Sequence, residues 1–474
     1  MIVPHAGGDL PGTKRRRLVV DTLIAGATIV TMDAERRIIT DGALAIVGDR
    51  IAALGKRADI EQGLDAREIV DGRRFVMTPG FVNGHVHATE TLVKGYIPEN
   101  LGFDEGVWRW SVPLYEGQSP GEQRLAAQLS AVSMLRTGTT CFLEAGTIIT
   151  LDAVFEGLQE TGIRGRVGQW VLDRAVSTDQ NQTALTDRAL RMLEDELTRY
   201  PGRDGQRLAA WPVLIGHNTN SDALWRGAKQ LADEHGAGIS AHMSPVEADP
   251  DWYLTHTGKR PIEHLAALGV LGGTVCLTHV VHVDEAEVAL LARTGTNVTF
   301  CPGAAMKGGF GASGRGRFPE MAAAGVTVML GTDGADHADL MRSITLVAML
   351  FKDARRETAL FPAHQALTMA TLNGAKALGM NQHIGSLEIG KKADLTLHDT
   401  DRPEWQPLLN PIAQLVWSAD GRGVHSVWVD GKRVVDNYRC TTIDEDRLYA
   451  DAQDAARSIT RRSGLPLVCP WPVS

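Results

Sequence analysis

The chain has 474 residues, of which 43% are hydrophobic and 22% charged, with 50 glycines and a formal net charge of −9. This is the make-up of a globular chain able to bury a sizeable core, which excludes a disordered or fibrous protein, and its acidic balance argues against a nucleic-acid or anionic-membrane surface. No apolar run approaches the ~18 residues that suggest a membrane span, and Cys141, Cys276, Cys301, Cys440 and Cys469 form no CxxC pair, so a reducing, cytoplasmic setting without disulfides is expected.

Residues 1–17 read as a flexible arm in which the basic run Lys14-Arg15-Arg16-Arg17 is solvated. The next stretch, "LVVDTLIAGATIV", contains Asp21 and alternates like a strand, unlike the apolar core of a signal peptide. Over 18–78 short alternating segments dominate, and "LAIVGDRIAALG" reads as a hairpin through Gly48-Asp49. From 79 to 384 the rhythm changes to helix, glycine, apolar strand, as in "MLRTGTTCFLEAG", "LADEHGAGISAHM" and "MAAAGVTVMLGTDG". Gly138, Gly162, Gly236, Gly295 and Gly325 suit the left-handed position that ends a helix. With "GFVNGHVH", "LAAWPVLIGHN" and "GTVCLTHVVH" there are about eight such strands, which predicts an α/β chain with a (β/α)8 TIM-like barrel. A doubly wound sheet would alternate similarly; the placement of polar residues favours the barrel. Residues 385–440 return to strands, with "ADLTLHD" and a second hairpin, "SVWVDGKRVVDN", turning at Asp430-Gly431. Two β-rich ends too small to close a core separately are expected to form one small β-sandwich domain together. Residues 441–474 read as a helical tail that either packs on its own barrel or contributes to a homo-oligomer.

His85 and His87, Glu144, His217, His242, His279 and Asp333 all fall where an apolar strand gives way to its loop. In a barrel such positions meet in one ring at the C-terminal face. His85 and His87, two apart on a strand, point to the same side and can bind one ion. A lone strand histidine is ordinarily a hydrogen-bonded core residue, and a lone Asp333 could cap a helix. As a set they are imidazoles beside a hard carboxylate, which suits a catalytic metal with an open position. The expected ligands are His85, His87, His242 and Asp333. Glu144 points into the same ring, either holding substrate or supporting a ligand.

The stretches "DTLIAGATIVTMDAERRIITDGALAIVGDRIAALG", "TPGFVNGHVH", "GKRPIEHLAALGVLGGTVCLTHVVHVDEAEVALLARTGT", "GTDGAD" and "IGSLEIGKKADLTLHD" resemble the amidohydrolase superfamily, in its cytosine deaminase/chlorohydrolase branch. That resemblance implies the same sandwich-plus-barrel architecture and one divalent ion per subunit, Zn²⁺ first, with Fe²⁺, Co²⁺ or Mn²⁺ as alternatives. It also implies a small-molecule substrate and a homodimer or larger homo-oligomer. His279 is then not a ligand but a partner to the attacking water or substrate oxygen, and Asp333 takes the water's proton. Relatives with two ions carry a bridging lysine on the fourth strand; here His217 stands nearby, where relatives place a substrate-contacting histidine.

Two departures bear on the reaction. Ring deaminases of this branch place a glutamate three residues after the fifth-strand histidine, and here that position is Pro245; Glu247 is the acid nearest in sequence. Many also carry Ser-Asn where this chain has Ala304-Ala305. Both changes favour cleavage of a C–N or C–S bond at a carbonyl-like carbon, as in ureas, amides, carbamates or thiocarbamates, with the resemblance running toward phenylurea and molinate hydrolases. Trp108 and Trp110 follow the first barrel strand and are expected near the pocket, Trp110 as a substrate contact with His217, Glu144 and Glu247. Deamination or dechlorination of an aminoheterocycle is the alternative, and a metal-free scaffold the third reading.

Overall fold

The computed structural model describes residues 17–175, 177, 180–334 and 336–471. The arm expected over 1–17 lies outside the described residues except for Arg17. Five strands open the chain: β1 (Leu18–Val30), β2 (Ile38–Val47), β3 (Arg50–Lys56), β4 (Leu64–Asp71) and β5 (Phe75–Pro79). The central stretch supplies β6 (Phe81–Val86), β7 (Thr139–Glu144), β8 (Arg164–Val167), β9 (Trp170–Val171), β10 (Leu208–Ala210), β11 (Val213–Gly216), β12 (Ile239–Met243), β13 (Val275–His279), β14 (Asn297–Phe300) and β15 (Val328–Leu330). Four more, β16 (Leu395–Asp399), β17 (Val424–Val429), β18 (Lys432–Asp436) and β19 (Arg439–Cys440), complete the set.

The central strands are parallel neighbours and make eight staves, because β8 with β9, and β10 with β11, are each one stave interrupted. Pro212 has no N–H to give at the second break. At the first, Gly168 passes so close that a Cβ there would lie 2.2 Å from the Trp211 carbonyl oxygen. The barrel closes where Asp333 bridges Val86, and the Thr332 and Asp333 N–H groups donate to the His85 carbonyl at 3.0 and 2.9 Å.

The two ends of the chain share a single nine-stranded sheet, ordered β19-β18-β17-β16-β5-β1-β2-β3 with β4 beside β1. Alternation along β1 sends Ile24 and Ile29 to one face with Leu44 and Ile46, and Leu23 and Ala25 to the other with Ala43 and Ala45. Both faces are therefore apolar and covered. Where the sheet meets the barrel, Arg164, the first residue of β8, is fully buried and donates to Asp394 at 2.8 and 3.1 Å and to Asp430. The tail forms a helix over Glu445–Ser463, and its Ala452 and Ile459 pack on Leu92, Val93, Leu114 and Ala126 of the same chain.

The helix Gln182–Arg199 buries Glu196, which accepts the Gln169 N–H at 3.2 Å. Burial pushes this carboxyl up to about 8 against the opposing pull of that N–H and of Arg199. The native state thus holds a proton that the unfolded chain, with its glutamate near the ordinary 4.5, gives up sooner. Stability from this group is fully present below about pH 4.5 and is lost as pH rises to about 8. Glu196→Gln is expected to flatten that limb and to raise stability at pH 8 by about 1–3 kcal/mol. Urea melts at several pH values measure it, and identical slopes in the two proteins would sink the idea.

Candidate active site

The C-terminal ends of the staves carry the polar ring. His85 comes from β6 and His87 from just after it, Glu144 from β7, His217 from just after β11, His242 from β12, His279 from β13 and Asp333 from just after β15. All are buried. Asp333 Oδ1 lies 3.5 Å from His85 Nε2 and 3.2 Å from His87 Nε2, and Oδ2 lies 3.8 Å from His279 Nε2. His242 Nε2 is 3.4 Å from His87 Nε2.

The other nitrogen of each predicted histidine ligand is tied down. His85 Nδ1 meets the Thr278 hydroxyl at 2.8 Å, His242 Nδ1 meets the Ile215 carbonyl at 2.9 Å, and His87 Nδ1 meets the Gly146 carbonyl. This outer ring fixes the imidazoles so that the three Nε2 atoms converge, the usual device for orienting metal ligands. Buried His85 Nε2 has no hydrogen-bond partner. Donor atoms of His85, His242 and His279 lie within 4.8 Å of one another, as do those of His85, Cys301 and Asp333. The geometric cluster therefore includes His279 and Cys301, neither of which was expected as a ligand.

Burial holds the His85, His242 and His279 imidazoles down in pKa, His279 to about 3, so they are neutral lone-pair donors. Burial would lift Asp333, but His279, His85 and His87 outweigh it and hold the carboxyl well below its ordinary value. His87 goes the other way: burial lowers it, yet Glu90, Asp333 and Glu144 raise it to about 10. A ring of imidazoles pressed by three carboxylates is a donor set that a divalent cation fits, since the cation replaces the proton on His87.

The strand ends are also conformationally unusual. His217, Ser244, His279, Val280 and Asp333 take left-handed backbone angles, with φ of 48°, 50°, 75°, 50° and 71°. Such angles cost non-glycine residues about 1–3 kcal/mol each and gather at functional sites.

A cavity of about 290 Å³ opens over this ring. His87, His217, His242, His279 and Asp333 form its polar floor; Phe103, Trp108, Ile215, Val246 and Phe310 form apolar walls. Asp249 holds His217 Nδ1 at 2.7 Å and accepts the Ser244 N–H at 2.8 Å, while the Tyr253 hydroxyl donates to the His217 carbonyl at 2.7 Å.

The expected substrate contacts divide. His217 lines the cavity. Glu144 sits behind His87 and off the lining, accepts the Ala88 N–H at 3.1 Å, and is pushed up to about 7 by burial. Trp110 is buried in the irregular helix Glu105–Ser111, and of these two tryptophans Trp108 reaches the cavity, which Trp170 also lines. Glu247 is exposed, pairs with Arg315 and borders a separate groove. Of the alanine pair only Ala304 lines the cavity; Ala305 belongs to the core. Sequence reasoning missed Asp249 and Glu90. Glu90, three residues beyond His87, was the more visible.

Residues 76–434 match the Amidohydrolase family. The chain is 33% identical over 455 residues to the 5-methylthioadenosine/S-adenosylhomocysteine deaminase of Symbiobacterium thermophilum, covering 93% of this chain and 99% of that one. Among solved structures, an adenosine deaminase from Xanthomonas campestris with bound zinc superposes with a TM-score of 0.85 at 26% identity, covering 94% of this chain and 100% of that one. An atrazine chlorohydrolase from Arthrobacter aurescens, complexed with zinc, superposes at 0.83 and 23% identity over 92% of this chain and 100% of its own, a likeness of fold.

Proposed function

The chain belongs to the amidohydrolase family and is a metal-dependent hydrolase of non-peptide carbon–nitrogen bonds, and from that premise we propose that it cleaves a C–N or C–S bond at a carbonyl-like carbon, in a urea, amide, carbamate or thiocarbamate. The observation carrying this is the missing ring-protonating acid. Pro245 is buried and has no proton to give, and Glu247 is turned outward to Arg315. A carbonyl carbon needs no ring nitrogen protonated. The apolar walls suit an aryl or alkyl substituent held by packing.

In this reading His85, His87, His242 and Asp333 hold one divalent ion, with Zn²⁺ preferred and Fe²⁺, Co²⁺ or Mn²⁺ compatible with the same donors. When bound, the ion supplies Lewis acidity that lowers the pKa of water toward neutrality and polarises the substrate carbonyl. Asp333 accepts the proton of the attacking water at a carboxylate oxygen and returns it to the departing nitrogen or sulfur. His279, neutral and 3.8 Å from Asp333, steadies the developing oxyanion or relays that proton. His217, with Nδ1 fixed by Asp249, presents its other edge to the substrate.

The relatives support a second reading, hydrolytic deamination or dechlorination of an aminoheterocycle, because the similar curated protein and the zinc-bound structure are both named as deaminases of adenosine-type compounds. Family membership and the assembled imidazole ring set the scaffold reading aside. A panel of metal-replete assays separates the other two: aryl ureas, anilides and thiocarbamates against purines, pterins and triazines, following amine or thiol release against ammonia or chloride. Turnover of the first group is expected; turnover confined to the second would overturn the proposal. Glu247→Gln is expected to keep its rate within about twofold, whereas a proton-donating role would cost about 10²-fold or more.

A further inference from the structure

At the opposite end of the barrel from the catalytic ring, β8 carries two arginines. In its register with β7, Gly165 lies beside Phe142, which packs outward on Ala127 and Ala131, so Arg164 and Arg166 both point into the barrel interior. Arg164 meets Asp394 and Asp430. Arg166 meets no carboxylate among the described residues. Its Nη1 donates to the carbonyls of Gly165 and Gln206 at 3.0 and 3.2 Å, and its Nη2 to the Met380 sulfur at 3.3 Å, a weak acceptor. The side chain is 5% exposed, and burial lowers its pKa to about 10, so it is still a cation at neutral pH. Buried charges are normally paired.

A cavity of about 250 Å³ adjoins this guanidinium, lined also by His383 and by the glycine-rich turns at Gly202–Gly205 and Gly236–Gly238. His383 is 9% exposed; its Nε2 meets Asp204 at 2.5 Å, and its Nδ1 has no hydrogen-bond partner. A Cβ on Gly205 would come within 3.5 Å of that Nδ1, so the turn leaves the nitrogen room. We infer that this cavity at the base of the barrel is a binding site for a small oxyanion of the phosphate class, with Arg166 as its cation and His383 as its second polar contact. The planar guanidinium fork matches two oxygens of such an anion. In the tautomer that gives its Nε2 proton to Asp204, His383 Nδ1 is an acceptor, and hydrogenphosphate, unlike sulfate or chloride, offers that nitrogen a hydroxyl as well as oxygens for the arginine.

Calorimetric titration of the metal-replete enzyme with inorganic phosphate, sulfate and chloride at fixed ionic strength tests this. One phosphate per chain is expected, with sulfate several-fold weaker and chloride silent. Arg166→Gln is expected to weaken phosphate about tenfold or more while hydrolase activity is unchanged, and Asp333→Ala to bind phosphate as the wild type does, which separates this site from the catalytic ion. No saturable binding to the wild-type enzyme would overturn the inference, even if Arg166→Gln proved too unstable to assay. Unchanged affinity in Arg166→Gln, or its loss in Asp333→Ala, would overturn it too, and equal binding of sulfate would overturn the assignment to phosphate.

Discussion

Asp333→Ala is expected to lower kcat by about 10³-fold or more on any substrate the enzyme turns over. Three roles meet in this carboxylate: it approaches His85 and His87 within 3.5 Å, faces His279 across 3.8 Å, and closes the barrel through its bridge to Val86. Held well below its ordinary pKa by His279, His85 and His87 despite burial, it is an anion throughout the working range, ready to receive a proton. Asp333→Asn keeps the shape and removes the basicity, so it separates proton transfer from ion binding. Rates should be read alongside metal content by elemental analysis and folding by circular dichroism. A folded alanine variant with wild-type metal content and near-normal turnover would remove Asp333 from the mechanism.

Arg164→Leu should have the largest effect on stability. The substitution leaves Asp394, 3% exposed, without its cation at the seam between barrel and sheet, and leaves Asp430 only Lys392 at 3.4 Å. Breaking a buried ion pair by removing one partner costs about 3–5 kcal/mol, because the abandoned charge stays desolvated. Asp394 also accepts the Asp430 N–H at 2.8 Å, so part of the loss comes from loosening that hairpin turn. Replacing Arg164 and Asp394 together with apolar residues should recover much of the deficit. Denaturant unfolding of the single and double variants gives both numbers; a single variant within about 1 kcal/mol of the wild type would show the pair to be dispensable.

The barrel and its polar ring were legible because both leave periodic marks: glycine-terminated helices feeding short apolar strands, with imidazoles at the strand ends. What was not legible depends on local departures from that regularity. The two broken staves follow from Pro212 and from the close pass at Gly168, which show up only when neighbouring strands are placed side by side. Trp108 reaches the cavity as expected but Trp110 is buried instead, on a helix between Glu105 and Ser111 that winds irregularly, and sequence spacing carries no record of that. Asp249 looks like an ordinary acid in "EADP", and Glu247 the better candidate. The turn after His242 sends Glu247 to solvent and brings Asp249 under His217. Arg166 was invisible as an unusual residue, since its oddity is the lack of a carboxylate partner in space among the described residues.

The left-handed angles at positions 217, 279, 280 and 333 carry a consequence for anyone improving this protein by screening. A library selected for melting temperature alone should drift toward glycine or asparagine there, relieving about 1–3 kcal/mol at a time. Its toughest members at 217, 279 and 333 would be heat-resistant and inert. Durability and usefulness would have to be selected together, from the first round.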